Sequence, residues 1–504
     1  MPLAVIRKIT YNQKEKLHNE ASERERNGLS FERKHKPGRF FISNNVLCKG
    51  EGSKLKAKKD VNQLPDGNKN SVFNFGPGWF TIIYCLLMFW FYVGMCNDGS
   101  NASVPAIAAN LRVENSTLLT MNSIAGLVGV IFFIFLGQAN RKIGARWLSG
   151  ILCIIAGASY IGLGNSSSVG MYLVCMCLVT GSIMSAGYIC GGALVAQWFP
   201  KKKGVVMGYT TMGHNLASAF YVLLLSALIS SFYITGGVIP VGIGCIILGI
   251  LGMIFVRNTP QERKINPDNV SDKVFKEEYI VNEDDEDGGW TVKKLLTRKM
   301  TWMVAITTGL FQICSVGVMS QLVLRNEELG FSANTAMIIM MILALVGVAG
   351  SFVIGVLDDK LGTKKTMIMF GIWYAIALVL NFTNIMPLVY VSLFMIAIGI
   401  GGSANFTTSL PTSVFGRQGF SKVNSVIFPI QGAVTALQFL INAIVQRITG
   451  GQIRYAYLIF VFVAAINVVL VTRVNEHKYN RDYLKQNGME KELQEVEAFL
   501  SDKA

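Results

Sequence analysis

Leu127-Val128-Gly129-Val130 is met again 218 residues later as Leu345-Val346-Gly347-Val348, and the same shift carries Gly137 onto Gly355 and Gly144 onto Gly362. Each copy lies in a long apolar run that ends at a short basic loop, Arg141-Lys142 in the first and Lys360 with Lys364-Lys365 in the second. Glycines, run ends and basic loops coincide together, so the chain reads as a duplicated membrane unit rather than as chance within an apolar alphabet.

Composition agrees with that reading. Of 504 residues, 51% are AVILMFWYC and 15% are charged, and the mean hydropathy is +0.43. Soluble globular chains carry about 25% charged residues. Residues 1–70, 257–300 and 473–504 hold 31 of the 46 Lys and Arg and 25 of the 31 Asp and Glu. The remaining 358 residues therefore contain only 21 charges. This is a polytopic membrane protein; soluble enzymes and ATP-driven motors are excluded early.

A helix needs about 20 apolar residues to cross the hydrocarbon core. That ruler gives spans near 78–107, 117–138, 146–164, 170–196, 204–230 and 233–256, then 301–325, 333–356, 365–383, 387–411, 422–446 and 453–472. Residues 1–70 lack an apolar stretch of signal-peptide type. On one side the loops hold eleven Lys and Arg, and on the other only Arg112, Arg325, Arg447 and Arg454. The positive-inside rule then places both termini and the central loop in the cytoplasm, with the cell membrane as location. Eight of the nine cysteines sit in apolar runs as small hydrophobes, and Cys175-Met176-Cys177 points to two helix faces, so neither a disulfide framework nor a metal site is expected.

Gly355-Val-Leu-Asp-Asp359-Lys360-Leu-Gly362-Thr-Lys364 is similar to the loop signature G-x-x-x-D-[RK]-x-G-[RK]-[RK] of the major facilitator superfamily, apart from Thr363. The first copy, Gly137 to Arg146, departs further: Arg141 stands where the acid belongs, Lys142 and Gly144 match, and Ala145 replaces a base. The resemblance implies that this loop latches one side of the protein through charge pairs, with the second copy intact. Gly187-Tyr-Ile-Cys-Gly191-Gly192 followed by Gln197-Trp-Phe-Pro200-Lys-Lys-Lys-Gly204-Val-Val-Met-Gly208 resembles the span-four to span-five junction of the oxalate/formate antiporter branch and the related monocarboxylate carriers. Val414-Phe415-Gly416 is similar to the same branch.

Physical reasons stand beside the resemblance. Gly137 and Gly355 are expected to end their spans at a close turn. Gly204 and Gly208, four apart, are expected to allow close helix contact in lipid. The fold expected is an all-α membrane protein of twelve transmembrane helices in two pseudo-symmetric six-helix bundles. Its parts would be a basic, disordered cytoplasmic tail (1–75), the N-terminal bundle (76–256), a cytoplasmic linker (257–300), the C-terminal bundle (301–473) and a cytoplasmic C-tail (474–504). Trp290–Met300 reads as an amphipathic segment on the membrane surface. Asp287-Gly-Gly-Trp290 echoes a monocarboxylate-carrier signature away from its usual place, which chance explains best.

For function, an absence is the most informative fact. Outside the tails and linker the acids are Asp98, Glu114, Glu327, Glu328, Asp358 and Asp359, and the last five lie at span ends or in loops. Asp98 alone can sit deep, about 7–8 Å beyond the midplane. Intramembrane ionisable residues are functional candidates by default. On the helical reading Gly94, Asp98, Asn101 and Pro105 share a face, and a carboxyl group exchanging a proton there could carry the coupling ion. The bland alternative ends span one near Cys96 and makes Asp98 a loop acid.

His214, near the middle of span five, is the one histidine in a span; it suits proton coupling or a solute contact, or simply a structural hydrogen bond. Gln312, Gln431, Asn405 and Tyr188 are the other midspan polar residues of interest. They fall on spans seven, eleven, ten and four, which the resemblance implies line a central cavity with spans one and five.

Dicarboxylate carriers of the resembling branch are expected to place bases in spans eight and eleven, yet 332–356 and 423–446 contain none. The expected solute is therefore a monocarboxylate or other small organic anion, moving with a proton or by exchange in a secondary transporter. An exporter of amphipathic compounds is the alternative, and a non-transporting sensor the alternative from another class. No G-x-x-x-x-G-K-[ST], H-E-x-x-H or G-x-S-x-G occurs, so no enzyme, cofactor or nucleic-acid partner is expected, and the protein is read as a monomer in the lipid bilayer.

Overall fold

The computed structural model describes residues 75–501 except 201, 273–274, 276–288 and 417–418. The tail expected over 1–75 thus lies outside the described residues but for its last position, as do Lys201, Arg417, the side chain of Asp359 and the start of Asp287–Trp290. Every long element is a helix, and no strand occurs among the described residues.

Eleven helical stretches are long and apolar enough to cross a membrane. One of them, Val205–Phe255, runs for 51 residues, about 77 Å at 1.5 Å per residue and more than twice the hydrocarbon thickness of about 30 Å. It is broken at Tyr233 (φ 56°, ψ 175°), an exposed residue outside helical geometry. Two crossings result, spans five and six, and the described residues make twelve.

Span one is Trp79–Val93, carried through a π-helical turn Gly94–Asp98 into Ser100–Leu111. Spans two to four are Asn115–Ile143, Ala145–Gly164 and Val169–Trp198. Span seven is Lys299–Met319, followed after a break by Leu322–Glu328. Spans eight to twelve are Ala333–Leu361, Thr363–Phe382, Met386–Phe415, Phe420–Thr449 and Arg454–Thr472. Ile124, Leu127, Ile131, Ile134 and Phe135 form an exposed stripe on span two at helical spacing; so large an apolar face is suited to lipid, not water.

One apolar core comes from the first six spans with Phe439 and Ala443 of span eleven, and the other two come mainly from the last six spans. Spans three and six run antiparallel on a glycine contact. A Cβ on Gly150 would meet the Gly249 carbonyl oxygen at 2.9 Å, and one on Gly242 would meet the Gly157 carbonyl oxygen at 2.7 Å. Small residues let backbones approach where packing alone holds helices together.

The repeat is visible in backbone geometry. Gly144 (φ 85°, ψ 150°) and Gly362 (φ 84°, ψ 153°) make the same turn between spans two and three and between spans eight and nine. These are the turn glycines. Gly137 and Gly355, expected to end their spans, lie inside helices that continue to Ile143 and Leu361, and a Cβ on either meets nothing within 4 Å. Gly208 likewise has open space beside it, so it makes no close helix contact.

The shift of 218 also brings equivalent partners to the two turns. Asn258 Oδ1 accepts from the Arg146 amide (2.9 Å), and Glu476 Oε1 accepts from the Thr363 amide (2.8 Å). Each residue comes just after the sixth span of its half and satisfies an orphan N–H at the start of the third.

Trp290 is not laid open on a membrane surface. It is buried against Phe415, Tyr479 and Phe499, with ring centroids at 5.2, 5.4 and 5.6 Å. Lys294 Nζ donates to the Leu500 carbonyl (3.1 Å). The segment before span seven and the C-terminal helices Arg481–Gln486 and Glu490–Ser501 thus pack together against the end of span ten.

Candidate functional site

Three interruptions of regular helix converge on one place. The π-helical turns Gly94–Asp98, Ala186–Gly191 and Ala217–Tyr221 lie in spans one, four and five. Each inserts a residue and re-aims its side chains, a habit of functional sites. Asp98, Tyr188 and Ser218 come from these three turns, and all line a cavity of about 120 Å³ between the two halves. Among the described residues the second half has no such turn.

Asp98 is 3% exposed and lies in the helical turn that carries span one on to Leu111, as on the helical reading, and not in a loop. Ser218 Oγ donates to its Oδ2. A buried carboxyl group needs such a partner, because its desolvation is otherwise uncompensated. Asp98 is the one acid among the cavity's described lining residues, and no Lys or Arg is among those residues.

His214 faces the same space from span five. Its ring packs against Phe89 at 4.8 Å, Tyr92 at 6.1 Å and Tyr188 at 6.3 Å, and its Nε2 is buried with no protein partner. The second half supplies amides and hydroxyls. Gln312 Nε2 donates to the Ser403 carbonyl (3.0 Å), joining spans seven and ten. Gln431 Oε1 accepts from Thr308 Oγ1 (3.2 Å), joining spans eleven and seven.

Two residues singled out from the sequence lie elsewhere. Asn101 is buried beyond the cavity, where span seven breaks at Ser320-Gln321. The break leaves a carbonyl and an amide without helical partners. Asn101 Nδ2 donates to the Met319 carbonyl (2.8 Å), and its Oδ1 accepts from the Val323 amide (3.1 Å). Ser100 Oγ adds a bond to the Ser320 carbonyl (3.2 Å). Asn405 does not reach the cavity either; its Nδ2 donates to the Ser351 carbonyl of span eight (2.9 Å). Both are amides that hold helices together.

The halves therefore meet at several levels. Asn101 joins them toward the end away from the basic loops. Ser123 Oγ of span two donates to the Ala436 carbonyl of span eleven (2.9 Å), beside the cavity. On the side of the basic loops Tyr188 meets Phe428 with ring centroids 5.4 Å apart. Sequence reasoning missed Ser218, Thr435 and Gln438 among the lining residues. Their signal was available: Ser218 is one turn from His214, and Gln431, Thr435 and Gln438 recur at helical spacing.

A family model for the Major Facilitator Superfamily matches residues 80–437 and 304–504. The chain belongs to that superfamily. Among curated proteins, an uncharacterised MFS-type transporter of Escherichia coli (strain K12), YhjX, is 19% identical over 302 residues, covering 58% of this chain and 70% of the relative. Among solved structures, a D-xylose–proton symporter is 13% identical with a TM-score of 0.59, covering 80% of this chain and 99% of that one. A bacterial homolog of the human lysosomal transporter Spinster, inward-facing and unoccupied, is 14% identical with a TM-score of 0.57, covering 78% and 96%. At these identities the structures establish the fold. The chain is a superfamily transporter, and its family is not one of enzymes.

The superfamily's loop residues take defined places. Arg141 and Lys142 lie in the last turn of span two and Lys360 in that of span eight, where cations meet the negative end of the helix. Lys364 is the second residue of span nine.

Proposed function

We propose that the protein is a secondary active transporter that moves a small organic acid, most simply a monocarboxylate, together with a proton. Two halves alternate around the cavity, Asp98 exchanges the proton, and His214, Gln312 and Gln431 meet the solute. The observation that carries this reading is the pairing of Asp98 with Ser218 in a cavity with no Lys or Arg among its described lining residues. An anion entering there finds no fixed positive charge, so it crosses at least cost as a neutral species with its proton. The span-four to span-five junction, similar to the oxalate/formate and monocarboxylate carriers, supports the solute class. One structural neighbour is a proton symporter.

The basic loops with Arg141, Lys142, Lys360 and Lys364 are assigned to the cytoplasmic side of the cell membrane, where with Gly144, Gly362 and Asp359 they latch that end. Purified protein in vesicles tests the function. With acid outside, labelled monocarboxylates should accumulate above equilibrium, and collapse of the pH gradient should stop accumulation. Uptake indifferent to the gradient contradicts the reading. Met176, Met184, Met319 and Phe439 in the cavity wall favour, as a second reading, an exporter of amphipathic compounds; expression would then lower cellular accumulation of such compounds.

A further inference from the structure

Span eleven carries a line of amides across the membrane. Asn424, Gln431, Gln438, Asn442 and Gln446 are all buried, and with Thr435 they recur at intervals of three, four and seven residues, which is one helix face. From Asn424 to Gln446 the line is about 33 Å long, the thickness of the hydrocarbon core.

Toward the end away from the basic loops the line is spent on packing. Gln446 Nε2 donates to Gln321 Oε1 (2.7 Å), and Asn442 Nδ2 donates to the Gly317 carbonyl (3.0 Å). In the middle it faces the cavity, through Gln431, Thr435 and Gln438. Gln438 is 1% exposed, and its Oε1 has no partner in the protein. A buried amide oxygen in an apolar interior is costly unless a donor reaches it.

The hydrogen-bonding sense of this wall follows from the bonds already made. Gln431 Oε1 shares the one Thr308 hydroxyl hydrogen with the Val304 carbonyl (3.2 against 2.8 Å), and the Gln431 amide nitrogen is a donor. Thr435 gives its hydroxyl hydrogen to the Gln431 carbonyl (2.9 Å), which leaves its oxygen as an acceptor. Gln438 carries an acceptor, Oε1, and donors on Nε2. The helix face thus offers donors on Gln431 and Gln438 and acceptors on Thr435 and Gln438. A carboxyl group that enters neutral takes a donor and brings one hydrogen, so one of the two acceptors is left for a hydrogen from elsewhere on the solute.

We infer that Gln438, with Thr435, forms a subsite for the hydroxyl hydrogens of the solute, so that the transporter selects hydroxylated compounds. The inference rests on the reading of this cavity as the solute site. Within the organic acids it names hydroxy acids; a neutral polyol offers the same chemistry, and the test separates the two.

Full-length protein in detergent is titrated with two matched pairs, lactate against propionate and glycerol against 1,2-propanediol, with binding read as a thermal shift. In the wild type the more hydroxylated member should bind about tenfold tighter, the equivalent of one well-made hydrogen bond in a buried site. In Gln438→Met the ratio should fall to about one. Gln438→Glu, which keeps an acceptor, should retain the preference; should the Met substitution fail to fold, the Glu substitution and the wild-type ratios carry the test. Equal affinity within both pairs, an unchanged ratio in Gln438→Met, or no shift from any of the four compounds overturns the inference. A preference within the polyol pair alone keeps it and overturns the organic-acid reading instead.

Discussion

Replacing Asn101 by Ala should open the end of the cavity that lies away from the basic loops. The side chain makes two of the three bonds that cross from span one to span seven at the helix break, to the Met319 carbonyl and from the Val323 amide, and Ser100 makes the third. Leaving a buried donor or acceptor unsatisfied costs about 1–3 kcal/mol each. With some relaxation around the smaller side chain, the closed arrangement loses about 2–3 kcal/mol relative to one in which both groups reach water. That corresponds to about a 30-fold to 150-fold rise in the population open at this end.

A single cysteine at Val316, which lines the cavity, can report it when the native cysteines are replaced. A membrane-impermeant thiol reagent applied from the face opposite the basic loops should label Asn101→Ala far faster than the parent. Asn165→Ala is the control, because its amide bonds the Ile161 and Thr235 carbonyls within the first half; its labelling should not change. If Asn101→Ala labels at the parental rate, the clamp does not hold this end closed.

Other perturbations have equally definite outcomes. Arg325 is fully buried; its guanidinium bonds Asn381 Oδ1 (2.9 Å), the Asn381 carbonyl (2.8 Å) and Asn384 Oδ1 (2.5 Å) and pairs with Glu328 at 3.2 Å. Arg325→Met should cost about 3 kcal/mol, seen as a lower melting temperature in detergent, and Arg325→Lys should not rescue it because a point charge cannot fork to these acceptors.

His477, outside the spans, stacks on Tyr483 with ring centroids at 3.6 Å, and its burial, partly offset by Glu476, holds its pKa below the ordinary 6.5. The unfolded chain then binds the proton first, so the docking of this tail is fully stable above pH 6.5 and weakens as the pH falls below it. Hydrogen exchange of residues 474–501 should show that loss, and His477→Gln should remove its pH dependence. Trp290→Ala removes three ring contacts and should release the C-terminal helices to limited proteolysis while transport-competent spans stay protected, since truncating a buried aromatic costs about 3–5 kcal/mol.

Much of the architecture was legible because its signals are local. Span length, basic loops and the shift of 218 residues each follow from composition along the chain, and they fix twelve crossings and the repeat. Tertiary facts were not. Nothing local separates Gly137 from Gly144: both precede charges, and only the packing of Asn258 beside the loop marks Gly144 as the turn. Arg325 reads as a loop base because its neighbours are polar, whereas its carbonyl and amide partners come from the end of span nine.

At the site, depth in a span identified Asp98, Tyr188, His214, Gln312 and Gln431 as cavity residues. Depth could not tell an amide facing the cavity from one facing another helix, which is why Asn101 and Asn405 fall elsewhere. The π-helical turns that aim Asp98 and Ser218 at each other have no sequence signature of their own.

The measurement closest to the central claim compares Asp98→Asn with the wild type in vesicles. Asparagine keeps the size and the acceptor for Ser218 and cannot release a proton. The account predicts that gradient-driven accumulation of the organic acid disappears while exchange of labelled for unlabelled solute across the same membrane persists. Accumulation that still follows the pH gradient in Asp98→Asn would contradict it.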